Sequence, residues 1–169
     1  LVTGNINFSG GDEITNFAGI YLNNQSGEQC LLELKDDTSI GMFNLALRYA
    51  SPYANPTLAL RGSSSYIASV YSIPKFKAPV TLILTSKGKL SATTNTSGII
   101  VNRKNTASSN ANLGGGNFGN YPLYIGMRAG TSLPFTGNIY SVIGIARLAT
   151  PTEITNTENA IAKNVGVTL

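Results

Sequence analysis

The chain contains no histidine and no tryptophan, a single cysteine, and few charged side chains. Each shortage removes a class of chemistry. Without histidine there is no imidazole general base, no Ser-His-Asp or Cys-His relay, and none of the usual zinc ligand sets. A single cysteine, Cys30, excludes an intrachain disulfide and a thiolate metal cluster. It lies in the apolar run Cys30-Leu31-Leu32 and reads as a small core residue. Charged residues make up only 12% of the composition, and the lysines and arginines are scattered. The formal net charge of +4 therefore reads as a mildly basic surface. An acidic polysaccharide or lipopolysaccharide partner stays open, and nucleic acid is not expected. No apolar run is long enough to span a bilayer and no signal-peptide pattern opens the chain, so membrane insertion is not expected.

What is abundant is Gly, Ser, Thr and Asn. That is a turn-rich composition with a neutral polar solvent face, which favours an all-β class over a helical bundle. At 169 residues the chain reads as one domain, 1–169, able to bury a core without staples. It opens on Leu1 and not on Met, as expected of a segment cut from a longer chain or of a processed product.

Strand signals recur about every 8–12 residues, the spacing of a sandwich. Residues 1–8 alternate loosely, 14–22 and 28–35 follow, and the latter predicts Cys30, Leu32 and Leu34 on one side with Leu31 and Glu33 on the other. Residues 42–49 are the clearest segment of period two, with Phe43, Leu45 and Leu47 facing the core and Met42, Asn44, Ala46 and Arg48 facing away. The two prolines in 51–56 predict a loop carrying an exposed tyrosine. Strands are expected at 57–61, 66–73, 79–85, 90–94 and 98–102, with a tight turn at Lys87-Gly88-Lys89. Residues 103–119 read as the longest irregular stretch. Residues 123–128 and 139–146 are expected as strands of one sheet, with Phe135 tucked beneath it. Thr150, Pro151 and Glu153 then signal a helix start with a capping box. Ile154, Ile161 and Val165 give that helix an apolar face, and Gly166 its C-cap.

Chemistry has few carriers. The eight carboxylates are Asp12, Glu13, Glu28, Glu33, Asp36, Asp37, Glu153 and Glu158. Glycoside hydrolysis needs a flanking pair. Glu33 with Asp36 or Asp37 comes nearest, and it reads better as a strand edge running into a turn. Glu153 belongs to the capping box, and Glu158 is expected on the solvent side of the helix. Asp12-Glu13 and Asp36-Asp37 lack the alternating spacing of a calcium loop, so no metal and no cofactor are expected. Gly114-Gly115-Gly116 is followed by no Lys-Ser or Lys-Thr and opens no helix, which leaves a flexible loop in place of a phosphate cradle.

Residues 119–167 carry Gly-Asn-Tyr-x-Leu-Tyr-Ile-Gly-x-Arg-x-Gly, then Phe-x-Gly-x-Ile-Tyr, then Leu-x-Thr-Pro-x-Glu-Ile and Gly-Val. This pattern resembles the end of a concanavalin A-like, or laminin-G-like, jelly roll, and more narrowly the versions found in tail-fibre, tailspike and other virion proteins of bacteriophages. The resemblance implies a two-sheet antiparallel β-sandwich with one short C-terminal helix. It also implies non-catalytic recognition of a host cell-surface glycan by a phage virion protein, outside the cell, with this chain as the C-terminal module of a longer chain. The concanavalin A-like glycosidases carry a Glu-x-Asp-x-x-Glu strand that is missing here, so an enzyme is not expected.

Sugar recognition asks for flat aromatic faces with amide or guanidinium groups beside them. With no Trp and eight Tyr, the candidate set is Tyr53, Tyr66, Tyr71 and Tyr121 with Asn102, Arg103, Asn117, Asn120 and Arg128, drawn from predicted loops and strand ends. Tyr124 and Tyr140 are expected to be structural. The same polar surface also suits packing against sister chains, as a trimer, or against other virion proteins. A structural virion role with protein subunits as partners is therefore the alternative.

Overall fold

The computed structural model describes residues 1–24, 27–34, 40–50, 53–63, 67–71, 75–90 and 96–169, with the side chains of 49–50, 67–71, 96 and 105–106 left aside. Among them are eleven strands and a helix: β1 (Val2–Asn7), β2 (Glu13–Leu22), β3 (Gln29–Leu34), β4 (Met42–Ala50), β5 (Tyr53–Arg61), β6 (Ile67–Tyr71), β7 (Val80–Lys89), β8 (Thr96–Val101), β9 (Asn105–Ser109), β10 (Asn120–Ile125), β11 (Gly137–Ile145) and α1 (Pro151–Val165). The strands form a six-stranded sheet in the order β1-β10-β3-β4-β5-β6 and a five-stranded sheet in the order β11-β2-β7-β8-β9. Every named pairing is antiparallel. This is the two-sheet jelly-roll sandwich with a C-terminal helix that the sequence predicts.

Period-two alternation builds the core. Phe43, Leu45 and Leu47 of β4 and Leu58 and Leu60 of β5 meet Ala18, Ile20, Leu82, Leu84 and Ile99 from the facing sheet. Phe118 closes one end of this layer with its ring edge-to-face on Phe43, centroids 6.3 Å apart. Gly88 is part of β7, opposite Ile14, and not of a turn. A Cβ there would sit 2.3 Å from a Leu60 methyl, so the glycine serves the close approach of the other sheet.

On the outer face of the five-stranded sheet, Phe17 and Ile83 receive Ile161 and Ala162, with Ile154 and Val165 beside them. The capping box at Thr150 and Glu153, Pro at the helix start and the left-handed Gly166 are all present. Arg103, in the turn between β8 and β9, holds the helix from the side. Its Nε donates to Glu158 Oε2 (3.1 Å) and its Nη2 donates to the Thr155 carbonyl (2.9 Å). Glu158 is therefore buried, 1% exposed, and accepts from the Thr85 hydroxyl at 2.7 Å. It does not face solvent as predicted.

Other expectations are corrected as well. β10 and β11 lie in different sheets, because residues 126–136 carry the chain across the sandwich edge instead of folding a hairpin. Phe135 does pack against the core there. β5 runs through Asn55 and Pro56. Ala54 exchanges hydrogen bonds with Phe76 on the side away from β4, and Pro56 points the same way, two residues on, beyond the end of β6. Its missing N–H costs the ladder nothing. β9 occupies part of the stretch read as irregular; it is a short polar edge strand with no apolar alternation to betray it. In the same stretch Leu113 is buried, and the Gly115 carbonyl accepts from Ser63 N. The predicted strand 90–94 lies outside the described residues apart from Leu90, which is buried and donates to the Asp12 carbonyl. Asp36 and Asp37 also lie outside them.

Candidate functional site

The helix covers one outer sheet face; the outer face of the six-stranded sheet carries the polar side chains. Register sets its rows. Tyr124, Glu33, Asn44 and Ala59 follow one another across β10, β3, β4 and β5, and Cys30, Ala46 and Thr57 form the next row. Met42 pairs with Arg61, and Arg48 with Asn55, at the two ends. Ala46, Thr57 and Ala59 make a low floor that is buried, at most 8% exposed, in the rows shared with the longer Asn44, Arg48, Asn55 and Arg61. Arg48 also reaches Glu28 at 3.5 Å across the surface.

One irregularity shapes this face. The pairing of β3 with β4 slips between Cys30 and Leu32. A bulge of one residue sends both Leu31 and Leu32 into the core and turns Cys30 onto the side of Glu33. Strict period-two alternation predicts Cys30 on the side of Leu32 and Leu34, and the bulge overturns it. Cys30 is fully buried all the same, and its thiol accepts from Asn44 Nδ2 at 3.6 Å. Burial first, and the nearby Glu33 charge second, push that thiol up to about 12.

Glu33 is the centre of the arrangement. It is 0% exposed, yet both carboxylate oxygens are satisfied. Oε2 accepts from Ala129 N at 2.7 Å, and Oε1 accepts from Asn44 Nδ2 at 3.2 Å and from Arg128 Nε at 3.3 Å. Burial outweighs these partners and raises its pKa above the ordinary carboxylate value. The loop that supplies two of the donors folds back over β3 in a tight turn: Arg128 N donates to the Ser132 carbonyl, and Ala129, Gly130 and Leu133 all adopt positive φ. Gly126 N and Cys30 N are tied to Leu31 and Leu133 carbonyls across the same junction. The Glu33 carboxylate thus fixes where Arg128 stands, and about a third of the Arg128 side chain remains accessible.

The predicted residues do not gather in one place. Arg128 joins the cluster just described. Tyr53 begins β5 on the same outer face, 40% exposed. Tyr71 pairs with Thr57 at the end of β6, its side chain outside the description, and Tyr66 lies outside the described residues. Asn120 opens β10 at the β1 rim, opposite Asn7. Tyr121 points inward and packs against the core. Asn102 and Arg103 are on the other sheet: Asn102 Oδ1 accepts from Ile83 N (2.7 Å), and Arg103 grips the helix. Asn117 accepts from Gly119 N in a local turn. Tyr140, expected to be structural, is 49% exposed on β11. Reasoning from loops passed over Glu33, Asn44, Arg48, Asn55, Arg61 and Tyr124, although the alternation of β4 already marked Asn44 and Arg48 as facing away from the core. Among the described residues, no group of three His, Cys, Asp or Glu is placed to hold a metal.

By sequence, neither a protein family nor a curated protein matches the chain. By structure it resembles the CBM40 of the Ruminococcus gnavus IT-sialidase bound to α2,3-sialyllactose, with a TM-score of 0.65 at 14% identity over 94% of this chain and 97% of that one. The same module bound to α2,6-sialyllactose gives a TM-score of 0.62 at 15% identity, covering 94% and 98%. A native heptameric SAP-like pentraxin from Limulus polyphemus gives 0.63 at 8% identity, covering 92% and 70%. At these identities the likeness is one of fold.

Proposed function

We propose that this chain is a non-catalytic carbohydrate-recognition domain that holds a cell-surface glycan against the outer face of its six-stranded sheet. The observation that carries the reading is the Arg128 guanidinium, pinned by the buried Glu33 carboxylate beside Asn44, on the sheet that the described helix does not cover, over a floor of small side chains. A cation whose rotamer is fixed before binding loses little entropy when an acidic sugar arrives, and a guanidinium matches a carboxylate geometrically. Tyr53 and Tyr124 flank this ground with aromatic surface. Glu33 acts as an anchor and not as an acid, since both its oxygens are held by donors of the fold. The fold likeness to a module captured with sialyllactose supports an acidic glycan as the ligand. The resemblance of residues 119–167 to phage virion modules supports a tail-fibre or tailspike setting on the virion, outside the cell.

The test is calorimetric titration with α2,3- and α2,6-sialyllactose and with purified bacterial surface polysaccharide. Arg128→Ala is expected to weaken binding at least about tenfold, or about 1.4 kcal/mol. Arg128→Lys, which keeps the charge but not the fork, should fall between it and the parent protein. Circular dichroism monitors the fold in each. Absence of binding to every glycan, or equal binding by folded Arg128→Ala, would overturn the proposal. In that event the structural role with protein subunits as partners is favoured, on the strength of the sandwich rim at β1 and β11, whose strands bear no charged side chain.

A further inference from the structure

That rim is formed by two edge strands. Among the described residues, β1 ends the six-stranded sheet and pairs only with β10, while β11 ends the five-stranded sheet and pairs only with β2. They lie on the same side of the sandwich and frame a hollow of about 380 Å³ lined by Leu1, Ile125, Ile139, Tyr140, Ser141 and Val142. Tyr140 and Ile143 stand out beside it, 49% and 40% exposed, as do Leu1 and Val2. Residues 1–11 and 129–146 contain no charged side chain, in a chain that carries twenty Lys, Arg, Asp and Glu in all (12 basic, 8 acidic). Edge strands are ordinarily guarded by lysine, proline or a short length. β11 is nine residues long and has neither lysine nor proline. Its bulge lies between Ile139 and Ser141, which leaves Ser141 to Ile145 as a regular run opposite Gly19 to Thr15.

We infer that β11 is a self-association edge, and that its partner is β11 of a second copy of this chain, aligned antiparallel about a two-fold axis near Ile143. Charge selects this occupant. An acidic protein, a nucleic acid or an anionic membrane would be met by a basic rim, whereas two copies that each carry +4 approach most cheaply through a side bare of charged side chains, where the Leu1 ammonium donates to the Ile125 carbonyl. Shape agrees, because a two-fold contact sets Ser141 against Ile145 and Val142 against Gly144 of the other copy, with Ile143 meeting itself at the axis. Tyr140 and Ile143 project next to the hollow on the same strand. The two five-stranded sheets then join into one continuous sheet, and β1 with Leu1 and Val2 widens the contact beyond the paired backbones. The two six-stranded outer faces lie away from this contact, so the pairing is independent of glycan binding.

Sedimentation equilibrium over a concentration series tests this, with hydrogen exchange read by peptide in parallel. The expected result is a species of twice 17.8 kDa, with amides in 141–145 protected increasingly as concentration rises. Ile143→Lys, which sets two cations face to face at the axis, should weaken dimerisation at least about tenfold with the circular dichroism spectrum of the folded chain unchanged. If Ile143→Lys does not fold, Tyr140→Lys and the exchange data on the parent chain decide. A parent chain that stays monomeric up to about 1 mM, an oligomer without concentration-dependent protection in β11, or a folded lysine variant that dimerises as before would each overturn the inference.

Discussion

Replacing Arg103 with Met should cost more than its half-exposed position suggests. Methionine keeps the stem that lies along the helix and removes the guanidinium. Glu158 then stays 1% exposed with only the Thr85 hydroxyl, 2.7 Å away, as a partner. Breaking a fully buried ion pair costs about 3–5 kcal/mol. Here the Arg103 side chain is 34% exposed and Thr85 stays in place, which lowers the expectation to about 2–3 kcal/mol. For a chain of this size that is a fall of about 5–10 °C in melting temperature. The reverse substitution, Glu158→Leu, should cost less, about 1 kcal/mol, because Arg103 can turn to water where Glu158 cannot. The double variant should be no worse than Arg103→Met alone, since the carboxylate that needed a partner is gone. Urea denaturation of the four proteins at pH 7, with m-values compared to confirm that the denatured states match, supplies the cycle. An Arg103→Met cost within about 0.5 kcal/mol, the range of an ordinary surface change, would refute the reasoning. So would strict additivity.

Two further outcomes follow from ionisation. Arg147, together with the Thr150 backbone N–H and hydroxyl, holds the Glu153 carboxyl down at about 2. A carboxylate lowered in the folded state adds stability above its unfolded pKa of about 4.3, and that stability is lost as pH falls toward 2. An acid titration of melting temperature should therefore show a limb between about pH 4.5 and 2 that is shallower in Glu153→Gln; superimposable profiles would exclude the effect. Cys30, with its thiol raised to about 12, should react with a thiol reagent at pH 8 at least about a hundredfold more slowly in the native chain than in urea. Full labelling of native protein within minutes would contradict its burial.

Local signals were readable because their causes are local. Thr150, Pro151, Glu153 and Gly166 specify the helix ends within a few residues, and the alternation of Phe43, Leu45 and Leu47 specifies a core strand. Glu158 shows the limit from the other side. It lies four residues after Ile154 and three before Ile161, on the apolar stripe itself, so helical spacing already placed it against the sheet; only its residue type suggested solvent. Glu33 differs, because its donors Arg128 and Ala129 arrive from a loop ninety-five or more positions away. No pattern near residue 33 announces that cover. Assigning β10 and β11 to one sheet failed for a related reason: two strands close in sequence suggest a hairpin, and whether the link turns back or crosses the sandwich depends on partners elsewhere. The tyrosines assigned to loops were misplaced where a tyrosine suited an inward strand position, as Tyr121 does.

The strand order has a consequence for how the chain is made. β2 is an interior strand of its sheet, and nearly every residue in it is buried. Its neighbours are β7 and β11, so a chain emerging from a ribosome carries Glu13–Leu22 without a hydrogen-bonding partner until Val80–Lys89 has been synthesised, and with one side still open until Gly137–Ile145 follows. β3, β4, β5 and β6 pair with their sequence neighbours and can assemble as a meander in the meantime, while β1 and β3 must both wait for β10 to slot between them. Such long-range pairings make folding slow relative to a helical protein of equal length. Over that interval the apolar ten-residue β2 is the segment most in need of protection from other chains.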